Sequence, residues 1–202
     1  MIGLSGASGS GKTTLAKIFS EKYAVDFIPS EADRIHRDFG VTPADIIDLD
    51  LRIDIQHEIL KTAVDSYQVQ TTLFVTDRTP LDFAAYLLSD VKRSNVLPEQ
   101  ERRILSYVRT CQEVTNQYFA SIVLVPPSIE YDEEHRVRPC SSYNEAFHHL
   151  LSGILVDTPI AYRKCMISRH VTDIDKRLEI LYGVYNELIK VVSDSRNDCR
   201  LH

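Results

Sequence analysis

The sequence predicts an α/β protein with a five-stranded, mainly parallel sheet flanked by helices. Two observations carry that prediction. Short apolar runs alternate with longer stretches of helical periodicity, the order that βαβ units leave in a chain. The 202 residues also show no internal repeat, low-complexity tract or linker-like segment, so a single domain over 1–202 accounts for the length. An apolar share of 44% and a charged share of 26% are those of an ordinary globular protein.

The elements follow in order. "MIGLS" is a short apolar strand that runs into a glycine-rich loop. Residues 12–23 place Leu15, Ala16, Ile18 and Phe19 at helical spacing, and "AVDFIP" reads as a second strand closed by Pro29. In "VTPADIIDLDLRIDIQHEILKTAVDSY", Thr42 is expected to cap a helix with Pro43 at its first position. "TLFVTDR" is the third strand, running into Asp77 and Arg78. Residues 80–89 and 99–119 read as helices, the second opened by Pro98 and acidic residues in its first turn. "SIVLVPP" is the fourth strand, stopped by two prolines. The polar stretch "EYDEEHRVRPCSSY" precedes the helix "NEAFHHLLSGIL", and "KCMISR" and 172–193 supply the last strand and the closing helix.

Four of the seven glycines lie between residues 3 and 19, within "GLSGASGSGKTTLAKIF". This stretch holds Gly6-x-x-x-x-Gly11-Lys12-Thr13, the phosphate-binding P-loop, placed between a strand and a helix as that motif requires. Main-chain N–H groups must approach a polyphosphate closely, and a Cβ would block the approach or forbid the positive φ angles. Residues Gly6, Ala7, Ser8, Gly9, Ser10, Gly11, Lys12, Thr13 and Thr14 are therefore the candidate ATP site, with the positive end of the following helix aimed at the phosphates. Lys12 is placed to reach the β- and γ-phosphates and Thr13 to hold Mg²⁺. A P-loop NTPase fold follows.

An apolar strand ending in an acid next to a P-loop suits a magnesium site, so Asp77 joins Thr13 as a metal candidate. Its neighbour Arg78 faces the same crevice and suits a substrate phosphate or a hydroxyl-bearing sugar. With "DRTPLDFAAY" after the third strand, the chain resembles the nucleoside and nucleotide kinase group of P-loop proteins. More narrowly it is similar to the AAA-type ATPase and kinase-like family related to the ribosylnicotinamide kinase domain, which includes phage-type deoxynucleotide kinases.

That resemblance implies an acid after the second strand that meets the acceptor. The matching segment, "PSEADRIHR", offers Glu31 and Asp33, with Arg34 and Arg37 available for an acceptor phosphate. Asp33 is preferred because it directly precedes Arg34. It also implies an arginine-bearing lid, about 128–156, in which Arg136 and Arg138 close over the phosphates and exclude water. The expected catalytic set is Lys12, Asp33, Arg78, Arg136 and Arg138. Glu31, Asp33, Arg34 and Arg78 are the expected substrate contacts. Pairing into a homodimer through helices is a further implication.

The leading function is transfer of the ATP γ-phosphoryl group to a nucleoside monophosphate or nucleoside. Paired arginines near Arg34 and Arg78 tilt the choice toward an acceptor that already carries phosphate. A polynucleotide or modified-base hydroxyl is the second acceptor, and a nucleotide-dependent ATPase or switch the third reading. The net charge of −6 argues against a nucleic-acid partner. No NKxD guanine-reading motif is present.

Cys111, Cys140, Cys165 and Cys199 are scattered without metal spacing and read as free thiols. No apolar run approaches the roughly 18 residues of a membrane helix. The N-terminus lacks a signal-peptide pattern, and a cytoplasmic location is expected. Arg52 is read as a surface residue or a substrate contact, and Arg169–Thr172 as the place for donor-base contacts.

Overall fold

The computed structural model describes residues 1–91, 95–129, 140–161 and 163–198. Among them the order is β1 (Ile2–Ser5), α1 (Lys12–Tyr23), β2 (Asp26–Ile28), α2 (Ala32–Asp38), α3 (Leu49–Gln68), β3 (Phe74–Thr76) and α4 (Pro80–Val91). Then come α5 (Pro98–Tyr118), β4 (Ser121–Leu124), α6 (Ser141–Asp157), β5 (Arg163–Met166) and α7 (Ile174–Asp198). The five strands form one sheet in the order β2-β3-β1-β4-β5. Every pairing is parallel, with Gly3 opposite both Thr76 and Ile122.

Side-chain alternation divides the sheet between two helical layers. Leu4 and Val123 point to α1 and α7, where they meet Leu15, Phe19, Leu178 and Leu181. Ile122 and Leu124 point the other way, onto Leu81, Ala85, Phe147 and Leu151 of α4 and α6. A third cluster joins α3, α4 and α5 through Ile53, Ile59, Phe83, Leu87, Ile104 and Tyr107. Because β1 lies between β3 and β4, the chain leaves its carboxyl end where the strand order reverses. A crevice opens at such a point in parallel sheets, and the glycine loop fills its floor.

Three expectations change. Thr42 does not start a helix: its N–H donates to Asp45 Oδ2 at 2.7 Å and its carbonyl accepts from Asp45 N at 3.2 Å. This closed turn uses up the capping groups. The helix begins at Leu49, capped by Asp48, whose side chain accepts from Leu51 N at 2.9 Å. The segment after β2 is also a helix, α2, which buries only Ile35 and His36. Seven residues with one apolar anchor carry too little periodicity to announce themselves. Finally, the expected lid stretch divides. Residues 130–139, with Arg136 and Arg138, lie outside the described residues. From Ser141 onward the chain is α6, which buries Phe147, Leu151, Ile154 and Leu155.

No helix among the described residues is long and apolar enough to cross a membrane.

Candidate active site

The glycine loop leaves β1 through Gly6, whose φ is 153°. A Cβ there would stand 2.3 Å from the Val125 carbonyl oxygen, so only glycine lets β4's continuation pass this close. Lys12 begins α1 and folds over the loop it follows. Its Nζ donates to the carbonyls of Gly6 (2.8 Å) and Ala7 (2.7 Å) and to Ser10 Oγ (3.3 Å). Burial brings the Lys12 pKa down to about 7. Arg78 pushes in the same direction, and Asp82 and Asp77 push against it. Ser8 is half-buried, while Gly9, Thr13 and Thr14 are open to the crevice or solvent. Asn144 of α6 reaches the loop from the side, its Nδ2 donating to the Ser8 carbonyl at 3.3 Å.

Asp77, just past β3, is buried against the start of α1. Its Oδ2 accepts from Thr13 Oγ1 at 2.6 Å and its Oδ1 from Ser30 N at 2.9 Å. One carboxylate thus ties β3, α1 and the loop after β2 together. A hydroxyl and a carboxylate in contact form an all-oxygen donor set, which suits a hard cation such as Mg²⁺.

Asp82 is the residue that sequence reasoning missed. It is completely buried. Its Oδ1 accepts from Gly6 N at 2.9 Å, and its Oδ2 from Ser5 Oγ at 2.8 Å and from Thr79 N and Oγ1 at 2.9 Å each. The local half of this network is one arm of a capping box: Asp82, three residues after Thr79, reaches back to accept the Thr79 N–H. "TPLD" carried that signal. The bonds to Ser5 and Gly6 had none, because they span more than 70 residues.

Beside the loop a pocket lies between the end of β2, α3 and α4. Its apolar wall includes Ile28, Ile59, Ala63, Tyr67 and Phe83, and its polar groups come from Ser30, Glu31, Ser66 and Arg78. Arg78 donates through Nη1 to Tyr86 Oη at 2.9 Å, with its Cζ 5.0 Å from the centre of that ring. Burial opposes its charge, but Tyr86, Asp82 and Asp77 outweigh it and hold its pKa above the ordinary guanidinium value.

Of the two acids considered for the acceptor, Glu31 lines this pocket and Asp33 is exposed on α2, outside it. The reason is helical: Glu31 stands at the N-cap of α2, and two residues on the direction has turned by about 200°. Arg34 is exposed as well. Its Nε meets Glu31 Oε2 at 2.8 Å and its Nη1 meets Asp38 Oδ2 at 2.8 Å. Of the two arginines expected at an acceptor phosphate, Arg78 lines the pocket and Arg34 does not. Arg52 is neither a surface residue nor in the pocket lining. It is buried, paired with Asp90 at 3.0 Å, and donates to the Asp45 carbonyl at 2.8 Å. Arg169 forms a forked pair with Glu145 of α6, both contacts at 2.7 Å.

Solved structures share this architecture. A deoxyadenosine kinase from M. mycoides superposes with a TM-score of 0.67 at 15% identity, covering 93% of this chain and 98% of that one. A thymidylate kinase from Candida albicans gives 0.59 at 13%, over 92% and 90% of the two chains. NadR protein, in complex with NR, gives 0.65 at 16%, over 90% of this chain and 50% of that one. At such identities the likeness is one of fold. No curated protein matches by sequence. A family model matches further in, across residues 1–172. That span takes in the whole sheet, the glycine loop, Asp77 and the pocket, and its description, AAA domain, is the family to which this chain belongs.

Proposed function

We propose that the chain is an ATP-dependent kinase whose acceptor is a nucleoside or nucleoside monophosphate, bound through a hydroxyl at Glu31 and Arg78. One observation carries the reading. The loop built for phosphate and a half-apolar pocket that holds Glu31 and Arg78 meet at the same edge of the sheet, with Arg78 near enough to Lys12 to lower its pKa. An NTPase that acts on a partner protein has no use for the second feature.

In this reading Lys12 and main-chain N–H groups between Ala7 and Thr13 hold the donor phosphates, and Thr13 and Asp77 would hold Mg²⁺. When bound, the ion supplies charge neutralisation for the phosphates. Glu31 orients the acceptor hydroxyl and receives its proton as the oxygen bonds to the γ-phosphorus and the bond to the leaving ADP oxygen breaks. Arg78 offers donors to the acceptor oxygen or to the phosphoryl group in transit. The apolar wall of Ile28, Ile59 and Phe83 fits a nucleobase better than a sugar acid or a free phosphate.

With Arg78 lining the pocket and Arg34 outside it, a neutral nucleoside is favoured over its monophosphate. A panel of nucleosides and their monophosphates, each given ATP and Mg²⁺ and followed by ADP release and product mass, tests it. Turnover is expected with at least one nucleoside. Hydrolysis without any acceptor dependence would return the protein to the ATPase reading, and label transfer to a DNA end would return it to a polynucleotide acceptor.

A further inference from the structure

Arg177, near the start of α7, is buried to 1% exposure. Among the described residues its polar partners are all uncharged. Nη1 donates to the Ser10 carbonyl at 2.8 Å, Nη2 to Ser128 Oγ at 2.8 Å and Nε to the Val171 carbonyl at 2.7 Å. These partners follow β1, β4 and β5 in turn, so a single side chain joins the three loops at the carboxyl edge of the sheet. A buried cation without a counter-ion is costly, and burial lowers the pKa of this one. The position also lies beyond the span that the family model matches, 1–172.

The contact with Ser10 has a directional consequence. Ser10 C=O and Gly11 N–H belong to one peptide unit, which is trans like every described peptide bond, so the two groups point in opposite directions. Gly11 takes a φ of 87°, and a Cβ there would stand 3.1 Å from Ile129 Cδ1 and 3.6 Å from Arg177 Nη1. Holding the carbonyl against the guanidinium turns the Gly11 N–H away from Arg177. It also polarises that N–H, because a charge-assisted bond at one end of an amide strengthens donation at the other.

We infer that Arg177 is a positioning residue for the phosphate donor: it fixes and polarises the Gly11 N–H from behind the glycine loop, and the donor's phosphates add a counter-charge to a guanidinium whose partners among the described residues are uncharged. This rests on the reading of the loop as a triphosphate site. The contribution must then grow with the charge of the bound phosphate chain, which a purely structural brace does not do.

Calorimetric titration of ATP, ADP and AMP, each with Mg²⁺, into the full chain and its variants tests the inference. Arg177→Met is expected to weaken ATP about tenfold and ADP less, with AMP within about twofold of the wild type. Arg177→Lys keeps the charge but cannot fork between Ser10 and Ser128. It should fall between wild type and Arg177→Met with the same ordering, and it carries the test alone if Arg177→Met does not fold. In turnover, KM for ATP should rise while KM for the acceptor stays. An equal loss for all three nucleotides, or none, overturns the role of Arg177 while leaving the kinase reading intact. A wild-type chain that binds no ATP overturns both.

Discussion

Asp82 Oδ1 accepts the main-chain N–H of Gly6 at 2.9 Å, so the first turn of α4 holds the first residue of the glycine loop. Asp82→Ala would leave this N–H, Thr79 N and one of the two hydroxyls Ser5 Oγ and Thr79 Oγ1, which bond each other at 2.6 Å, without a buried acceptor. Each stranded donor costs about 1–3 kcal/mol, and partial relaxation brings the expected total to about 3 kcal/mol. Chemical denaturation measures the loss of stability, and ATP affinity should fall with it. A variant as stable as the wild type would show that Asp82 does not brace the loop.

Lys12→Ala is expected to abolish phosphoryl transfer while circular dichroism remains that of the folded chain. In the proposed reading the side chain serves the phosphates, and its protein contacts are with its own loop. Retained turnover would contradict the role given to it.

The pH dependence of ATP binding follows from Lys12. Its pKa is lowered to about 7 in the folded chain, and an adjacent triphosphate favours the charged form, raising it. Between pH 7 and the raised value, binding must therefore take up a proton, and affinity must fall as pH rises. Calorimetry at pH 8 in buffers of different ionisation enthalpy reads the uptake directly. Proton release in its place would mean that Lys12 is not the group that meets the phosphates.

Glu31 and Asp33 are separable by conservative substitution. Glu31→Gln removes the proton acceptor and is expected to lower kcat by about 10²-fold or more. Asp33→Asn, on the exposed side of α2, should leave kcat within about twofold of the wild type. The reverse result would move the acceptor out of the pocket between β2, α3 and α4.

An acceptor contact at Arg78 predicts a split in the kinetic constants. Arg78→Met also removes the bond to Tyr86, so stability must be followed alongside. The expected outcome is a larger rise in KM for the nucleoside than for ATP. A change in the ATP constant alone would assign Arg78 to the donor.

The sequence by itself determined the architecture and named the candidate donor site. Parallel βαβ order is written in the alternation of periods, and Gly6 to Thr13 is a continuous stretch whose chemistry is carried by the backbone. The position of Asp77 was legible too, since it ends an apolar strand beside the glycine loop, and it meets Thr13 there. What the tertiary structure decided lies in contacts made across long separations. Asp82 against Gly6, Arg177 against Ser10 and the placing of Glu31 in the pocket with Asp33 outside it depend on which elements pack together and how each helix is rotated when they do. Thr42 shows the same limit at short range: a capping signal competed with a closed turn to Asp45, and the packing of α3 from Leu49 onward settled the contest. Local propensity names the groups that are able to act, and burial in the assembled layers selects the ones that meet.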